Sequence, residues 1–372
     1  MIKHAIQSTM FGALSLVRSP PQVEELGSKL GSSGVPYTLD PCRSCADPCD
    51  LGHDEWPSRF DVDLSSDMLG SVKPYGRQVV ISTGKSDWAR EVTEDSGSLA
   101  EHLSNAHTKL VSEAPRPSKS EGGPPGVFKS SDSTRLSVLN GSHQEVGCAP
   151  KTHTVLVLPD YKLVKDVPAT PDGASEFWKA VIDPSVGVEG KNEAGLKSWI
   201  LPYSALILLC SHKRRDNRCH IAAPVLEDAF TTSLSSLGWD VHTQIDDPAE
   251  HGQPALEELP EPRADAVMEQ LRRLRQPNGE FSKRVLILRN SHMGGKYRHP
   301  IRNFKLTAPR AGHKFAGNVI IYFPTGNGVW YGRVSPHEVQ AVVESTIIGG
   351  KVLPKLLRGG TFKRDGHLLM DW

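Results

Sequence analysis

The sequence carries no net charge. Its 43 basic residues are matched by 43 acidic ones, so nothing in the composition draws it to nucleic acid or another polyanion. It has no apolar run of about 18 residues, the length a helix needs to cross a bilayer. Cysteine is scarce, six in 372 residues, too sparse for a disulfide scaffold in a chain this long. Acidic residues are missing before Glu24, whereas Lys3, His4 and Arg18 are basic. That start resembles a mitochondrial presequence, although an arginine-poor one. The competing expectation is a fraying terminus, so residues 1–35 are read as a disordered or targeting leader.

The length is enough for two domains, and a mean hydropathy of −0.36 with 38% apolar residues describes a globular protein. The loop Pro41-Cys42-Arg43-Ser44-Cys45-Ala46-Asp47-Pro48-Cys49 collects half of the cysteines. Cys42 and Cys45 have the spacing of a dithiol or of two ligands on one metal. With Cys49 they form a candidate second metal site that lacks an evident fourth ligand, although His53 is near. Free thiols are the competing expectation. Arg77 to Thr83 reads as a strand, followed by Gly84-Lys85-Ser86-Asp87-Trp88. Gly-Lys-Ser ends a phosphate-binding loop only when a glycine stands five positions before Gly84. Val79 stands there, which excludes nucleotide binding.

Residues 113–135, rich in Pro, Ser, Gly and Lys, read as a disordered insertion. A strand over 154–158 and a helix from an N-cap at Ser175 to Ile182 follow. The Pro- and Gly-rich stretch from Pro184 to Gly195 marks the boundary between an N-terminal α/β domain (36–190) and a C-terminal one (195–372). The second half alternates. Strands are expected at 204–209, 239–245, 284–289, 318–323 and 328–334, and helices at 221–237, 264–274 and from Ser335-Pro336 to 347. A βαβ start with a hairpin-helix end is the pattern of a thioredoxin-like α/β domain, though periodicity alone does not select it over other α/β layers.

Chemistry concentrates between Cys210 and His313. Cys210 ends the apolar run Ala205–Leu209, and Cys219 closes the basic loop that follows. His292 comes just after the apolar run Val285–Leu288, and His313 just before the run Val319–Tyr322. Soft thiolates and borderline imidazoles at the ends of buried strands suit a metal centre on loops held by rigid elements. Zinc with two Cys and two His ligands fits these residue types as well as iron does.

The loop from Cys210 to Cys219, the His-x-Gly-Gly-His signature, Gly328-Val329-Trp330-Tyr331-Gly332-Arg333-Val334 and the upstream stretch from Val80 to Trp88 resemble the sucrase/ferredoxin-like family, which has fungal members. The likeness covers most of 40–360. It implies a C-terminal thioredoxin-like ferredoxin domain holding a [2Fe-2S] cluster on two Cys and two His. In this sequence these are Cys210, Cys219, His292 and His313, and the role implied is electron transfer or redox chemistry. Sucrase in the family's name does not imply glycosidase chemistry, and no carboxylate pair is assigned. Two His in place of two Cys raise a cluster's potential, and imidazoles can couple it to pH. Lys213, Arg214, Arg215 and Arg218 are expected to favour reduction further.

The sequence departs from the family at one point. His292-Met293-Gly294 is separated from Gly312-His313 by 17 residues, 295–311. Deleting them restores Ser-His-Met-Gly-Gly-His-Lys-Phe-Ala-Gly-Asn. The insert begins Gly-Lys-Tyr and its last residue makes Ala311-Gly312 with the next, codable as a splice donor and acceptor, so it reads as a translated short intron. A genuine insertion would make His299 a competing ligand. The sequence ends in Asp371-Trp372, similar to the tail by which the cytosolic iron–sulfur assembly machinery recognises some clients. A large apolar ring with a free carboxylate beside it suits a pocket. This favours a cytoplasmic location, with mitochondrial as the alternative.

Overall fold

The computed structural model describes residues 20–43, 45, 49, 52–53, 56–57, 60–113, 123–191, 195–250, 252–276, 278–291, 313–362 and 367–371. In chain order they form α1 (Pro20–Gly31), β1 (Arg77–Ser82), α2 (Leu99–Leu110), β2 (Val127–Phe128), β3 (Leu136–Gly141), β4 (Thr152–Leu158), β5 (Lys162–Pro168), α3 (Pro171–Phe177) and β6 (Lys197–Ile200). Then come β7 (Ala205–Cys210), α4 (Asn217–Ser236), β8 (Asp240–His242), α5 (Arg263–Arg273), β9 (Arg284–Asn290), β10 (Val319–Tyr322), β11 (Gly328–Tyr331), α6 (Pro336–Ala341) and β12 (Leu357–Thr361).

The strands make one mixed sheet in the order β2-β12-β11-β10-β7-β9-β3-β1-β4-β5-β6, with β8 on β9. β7 lies near its middle, parallel to β9 and antiparallel to β10. Every residue of β7 is buried, because layers cover the sheet on both faces, and this explains an apolar run without alternation. The pleat still sorts its side chains. Ala205, Ile207 and Leu209 pack with Ala222, Leu226 and Phe230 of α4. Leu206, Leu208 and Cys210 face the other way, in a cluster with Leu286, Ile320 and Val267.

Two sets of strands meet at the β3–β9 seam, where one ladder pair joins Gly141 to Asn290. Ser142 N–H donates to the Arg289 carbonyl and Ser291 N–H to the Asn140 carbonyl, each at 2.8 Å. A buried polar network also ties the two sets. The Tyr322 hydroxyl on β10 donates to Gln78 Oε1 on β1 at 2.9 Å and lies 2.5 Å from the Tyr75 hydroxyl. Trp330 Nε1 on β11 donates to Tyr75 at 3.0 Å.

Several boundaries differ from the sequence expectation. α3 begins at Pro171, where the Thr170 side chain accepts from Gly173 N–H. Ser175 therefore sits inside the helix, its hydroxyl on the Pro171 carbonyl at 2.8 Å. α4 begins at Asn217, capped by Asp216. The expectation of disorder does not hold from Pro20 onward, since α1 buries Leu26 and Leu30 in the core shared with α4 and α6; residues 1–19 lie outside the described residues. Nor does it hold for 123–135. There β2 pairs in parallel with β12, and Phe128 is buried. Residues 114–122 lie outside the described residues. Among the described residues no helix is long and apolar enough to cross a membrane.

Candidate metal centres

Cys210 is the last residue of β7, and Cys219 sits in the first turn of α4. Strand, loop and helix return bring the two thiols into hydrogen-bonding contact, and both are buried. The return is anchored locally. The Asp216 side chain accepts from Arg218 N–H at 3.0 Å, and Cys219 N–H donates to the Asp216 carbonyl at 3.2 Å. The hydrogen bond to Cys210, and then burial, push the Cys219 thiol well above its usual range. Two touching buried thiols resist losing both protons, because the second negative charge would face the first at low dielectric. A bound cation removes that obstacle, so the pair is chemically suited to a metal and its thiolates.

The stretch Gly84-Lys85-Ser86-Asp87-Trp88, excluded above as a phosphate loop, docks the cysteine loop. Ser211 Oγ donates to the Ser86 carbonyl at 2.8 Å, and Arg214 N–H to Asp87 Oδ1 at 3.1 Å. The buried His212 places Nε2 3.0 Å from the Trp88 carbonyl. That contact makes Nε2 the protonated nitrogen, and burial lowers the ring's pKa.

The basic loop differs electrostatically from expectation. Arg214 pairs with Asp87 at 3.5 Å, Arg218 with Asp216 at 2.8 Å, and Arg215 with Glu91. Their charge is largely balanced by Asp216 within the loop and by Asp87 and Glu91, which the linear sequence does not bring near. Arg218 still acts on Cys219, but a fully buried cation also lies within electrostatic reach of both thiols: Arg358 of β12, only 1% exposed. Its Nε donates to Ser71 Oγ at 3.0 Å and its Nη1 to Asn318 Oδ1 at 2.5 Å. Burial pulls its pKa down to about 10, and the charge of Cys210 and Cys219 acts in the opposite direction. Sequence reasoning missed Arg358. Its only local signal is an arginine ahead of two glycines in an otherwise apolar segment.

Of the expected histidine ligands, His292 and the competitor His299 lie outside the described residues, as does all of 295–311. His313 opens a short 3-10 turn ending at Phe315, ahead of β10 at Val319, and only its backbone is described. Trp372 is also outside the described residues, whereas Leu369 is buried and its carbonyl accepts from Thr325 Oγ1 at 2.7 Å.

The early cysteine loop is divided. Cys42 is buried in the apolar core, where its thiol is pushed up to about 11 by burial. Cys45 and Cys49 instead join His53 and His337, with one donor atom of each within 4.8 Å of all the others. Cys45 Sγ lies 2.8 Å from His337 Nδ1, and Cys49 Sγ 3.4 Å from His53 Nε2. The imidazoles meet edge to face with centroids 4.4 Å apart. All four residues are half-buried. His337 is fixed by the start of α6, where Pro336 occupies the first helical position and Ser335 with Glu338 forms a capping box. Sequence analysis found Cys45, Cys49 and the nearby His53 but not His337. No spacing rule connects residues 292 positions apart.

The sequence model described as sucrase/ferredoxin-like matches residues 68–297 and 310–359. The break at 298–309 falls inside the segment whose removal restores the histidine signature. Altered inheritance of mitochondria protein 32 of Debaryomyces hansenii is 25% identical over 82% of this chain and 89% of its own length. The protein of the same name from Clavispora lusitaniae is 28% identical over 42% of this chain and 35% of its own. Actin patches distal protein 1 of Saccharomyces cerevisiae is 27% identical over 53% of this chain and 47% of its own. No solved structure matches this chain.

Proposed function

The chain belongs to the sucrase/ferredoxin-like family, and on that footing we propose that it is an electron-transfer protein whose [2Fe-2S] cluster is held by Cys210, Cys219, His292 and His313. The observation that carries the reading is the buried, touching pair Cys210 and Cys219 with the buried Arg358 beside it. Thiolates are strong iron ligands, and a guanidinium with fixed partners offsets part of the negative charge such a centre carries. A cluster held there would take up and release single electrons. The chain's own residues supply the rest: β7 and the first turn of α4 set the spacing of the thiols, the docked loop 211–215 holds them, and the apolar shell lowers the dielectric. Imidazoles in the remaining positions raise the potential relative to an all-cysteine centre.

We place this centre in a thioredoxin-like unit within 195–372, beside an N-terminal α/β unit within 36–190. Support comes from strand order. β7 and β9 are parallel with α4 between them in sequence, and β10 and β11 add an antiparallel hairpin before α6. A thiol oxidoreductase built on Cys42 and Cys45 is disfavoured by the buried, weakly acidic thiol of Cys42.

The test is a visible spectrum of protein purified without air, with iron and acid-labile sulfide assayed. A brown protein with both is expected. A colourless protein carrying zinc on Cys210 and Cys219 would overturn the reading.

A further inference from the structure

We propose that Cys45, Cys49, His53 and His337 form a second, mononuclear zinc site that clamps the N-terminal segment to the first turn of α6. The site is separate from the proposed cluster and does not depend on it.

The donor set comes first. Two thiols and two imidazoles converge, and one donor atom of each lies within 4.8 Å of the other three. With metal bonds of about 2.3 Å to sulfur and about 2.0–2.1 Å to nitrogen, two donors on one ion stand at most about 4.6 Å apart, and closer at tetrahedral angles. The Cys49–His53 contact of 3.4 Å already falls in the tetrahedral range, and Cys45–His337 at 2.8 Å needs only a small opening. The group therefore closes around one ion. A two-iron cluster spreads its ligands over two metals and bridging sulfides, which this group is too compact to span. Mixed sulfur and nitrogen donors in tetrahedral array select zinc.

Charge and protons balance. Zinc entry releases the protons of Cys45 and Cys49, and two thiolates with one dication give a neutral centre, suited to a half-buried place. Four protein donors leave no open position, as in structural rather than catalytic zinc sites.

The location gives the site a purpose. Ahead of it, α1 and the following turn are already joined to the C-terminal core. Tyr37 bridges to Val352, and Thr38 N–H donates to the Val352 carbonyl at 3.0 Å. Beyond it, Asp63 N–H donates to the Lys314 carbonyl at 2.8 Å, immediately after His313. The clamp thus fixes the middle of a strap that runs from α1 to the edge of the proposed iron centre. No regular helix or strand holds residues 45, 49 and 53. A metal supplies the cross-link that hydrogen-bonded structure supplies elsewhere.

The experiment uses the full chain purified without air, with zinc, iron and sulfide counted per chain. One zinc is expected in the parent. Cys45→Ser and His337→Ala should each lose at least four-fifths of it, while iron, sulfide and visible absorption stay at parental levels. His337→Cys should retain zinc, which separates ligand loss from misfolding. Cobalt in place of zinc should give the d–d absorption of a tetrahedral site, lost in Cys45→Ser. Zinc retained in both loss variants, a disulfide between Cys45 and Cys49 in the parent, or iron lost together with zinc in His337→Ala would each overturn the proposal. A parent with one zinc at these residues and no iron would leave this site standing and sink the cluster instead.

Discussion

Arg358 donates Nη1 to Asn318 Oδ1 at 2.5 Å, and the carbonyl of the same asparagine accepts from Cys210 N–H at 3.2 Å. One side chain thus holds a buried cation in register with a cysteine. Removing the charge while keeping the bulk, as in Arg358→Met, should destabilise the reduced, more negative state of the centre. The midpoint potential should fall by on the order of 60 mV, equivalent to about 1.4 kcal/mol for one electron. Protein-film voltammetry reads this directly, and Arg358→Lys should recover part of the fall. A potential unchanged in Arg358→Met would remove Arg358 from the centre.

Cys210→Ser and Cys219→Ser should each abolish bound iron, because an alcohol is a poor iron ligand at neutral pH. Cys148→Ala should not. The half-buried Cys148 thiol lies on β4's side of the sheet, 3.2 Å from Thr154 Oγ1. Iron per chain in the three variants decides the matter, and loss in Cys148→Ala would contradict the ligand set.

The interrupted histidine signature can be tested in RNA and in protein. Transcripts lacking the codons for 295–311 should predominate, and a chain made without those residues should carry more iron than the chain with them. In that shorter chain His292→Cys or His313→Cys should keep a cluster and lower its potential. If most messages carry the segment and its deletion leaves iron unchanged, the insertion is genuine.

His143 provides a pH dependence. It is fully buried at the end of β3, and burial lowers its pKa from 6.5 to about 4. The unfolded chain therefore binds the proton first. The stability tied to the neutral ring is complete above pH 6.5, is lost as pH falls toward 4, and does not change further below that. The loss by pH 5 should be about 2 kcal/mol. Urea unfolding at pH 7 and pH 5 should show it in the parent, and His143→Phe should show correspondingly less. Equal losses in both would mean that His143 does not titrate on unfolding.

Much of the fold was legible because its signals are local. The runs at 205–209, 285–288 and 319–322 are buried strands, since uninterrupted β-branched and aliphatic residues suit a sheet covered on both faces. Ser335-Pro336 marks the start of α6 because capping is decided within four residues. The harder element was β12. Its sequence Leu357-Arg358-Gly359-Gly360-Thr361 has little strand propensity, and a Cβ on Gly359 or Gly360 would run into the carbonyl of Gly126 or Gly328. Those glycines answer to close neighbours, which only the assembled sheet supplies.

The sequence by itself determined which residue types were available for chemistry: six cysteines, the histidines near strand ends, and the runs that place Cys210 at the end of a buried strand. Tertiary structure decided which of them meet. It put Cys42 in the core and Cys45 and Cys49 against His337, paired the basic loop with Asp87 and Glu91, and brought Arg358 to the thiols. The reason is physical. Backbone geometry fixes periodicity and caps over a few residues, whereas the meeting of distant polar groups follows from strand order and from the need to compensate each buried charge.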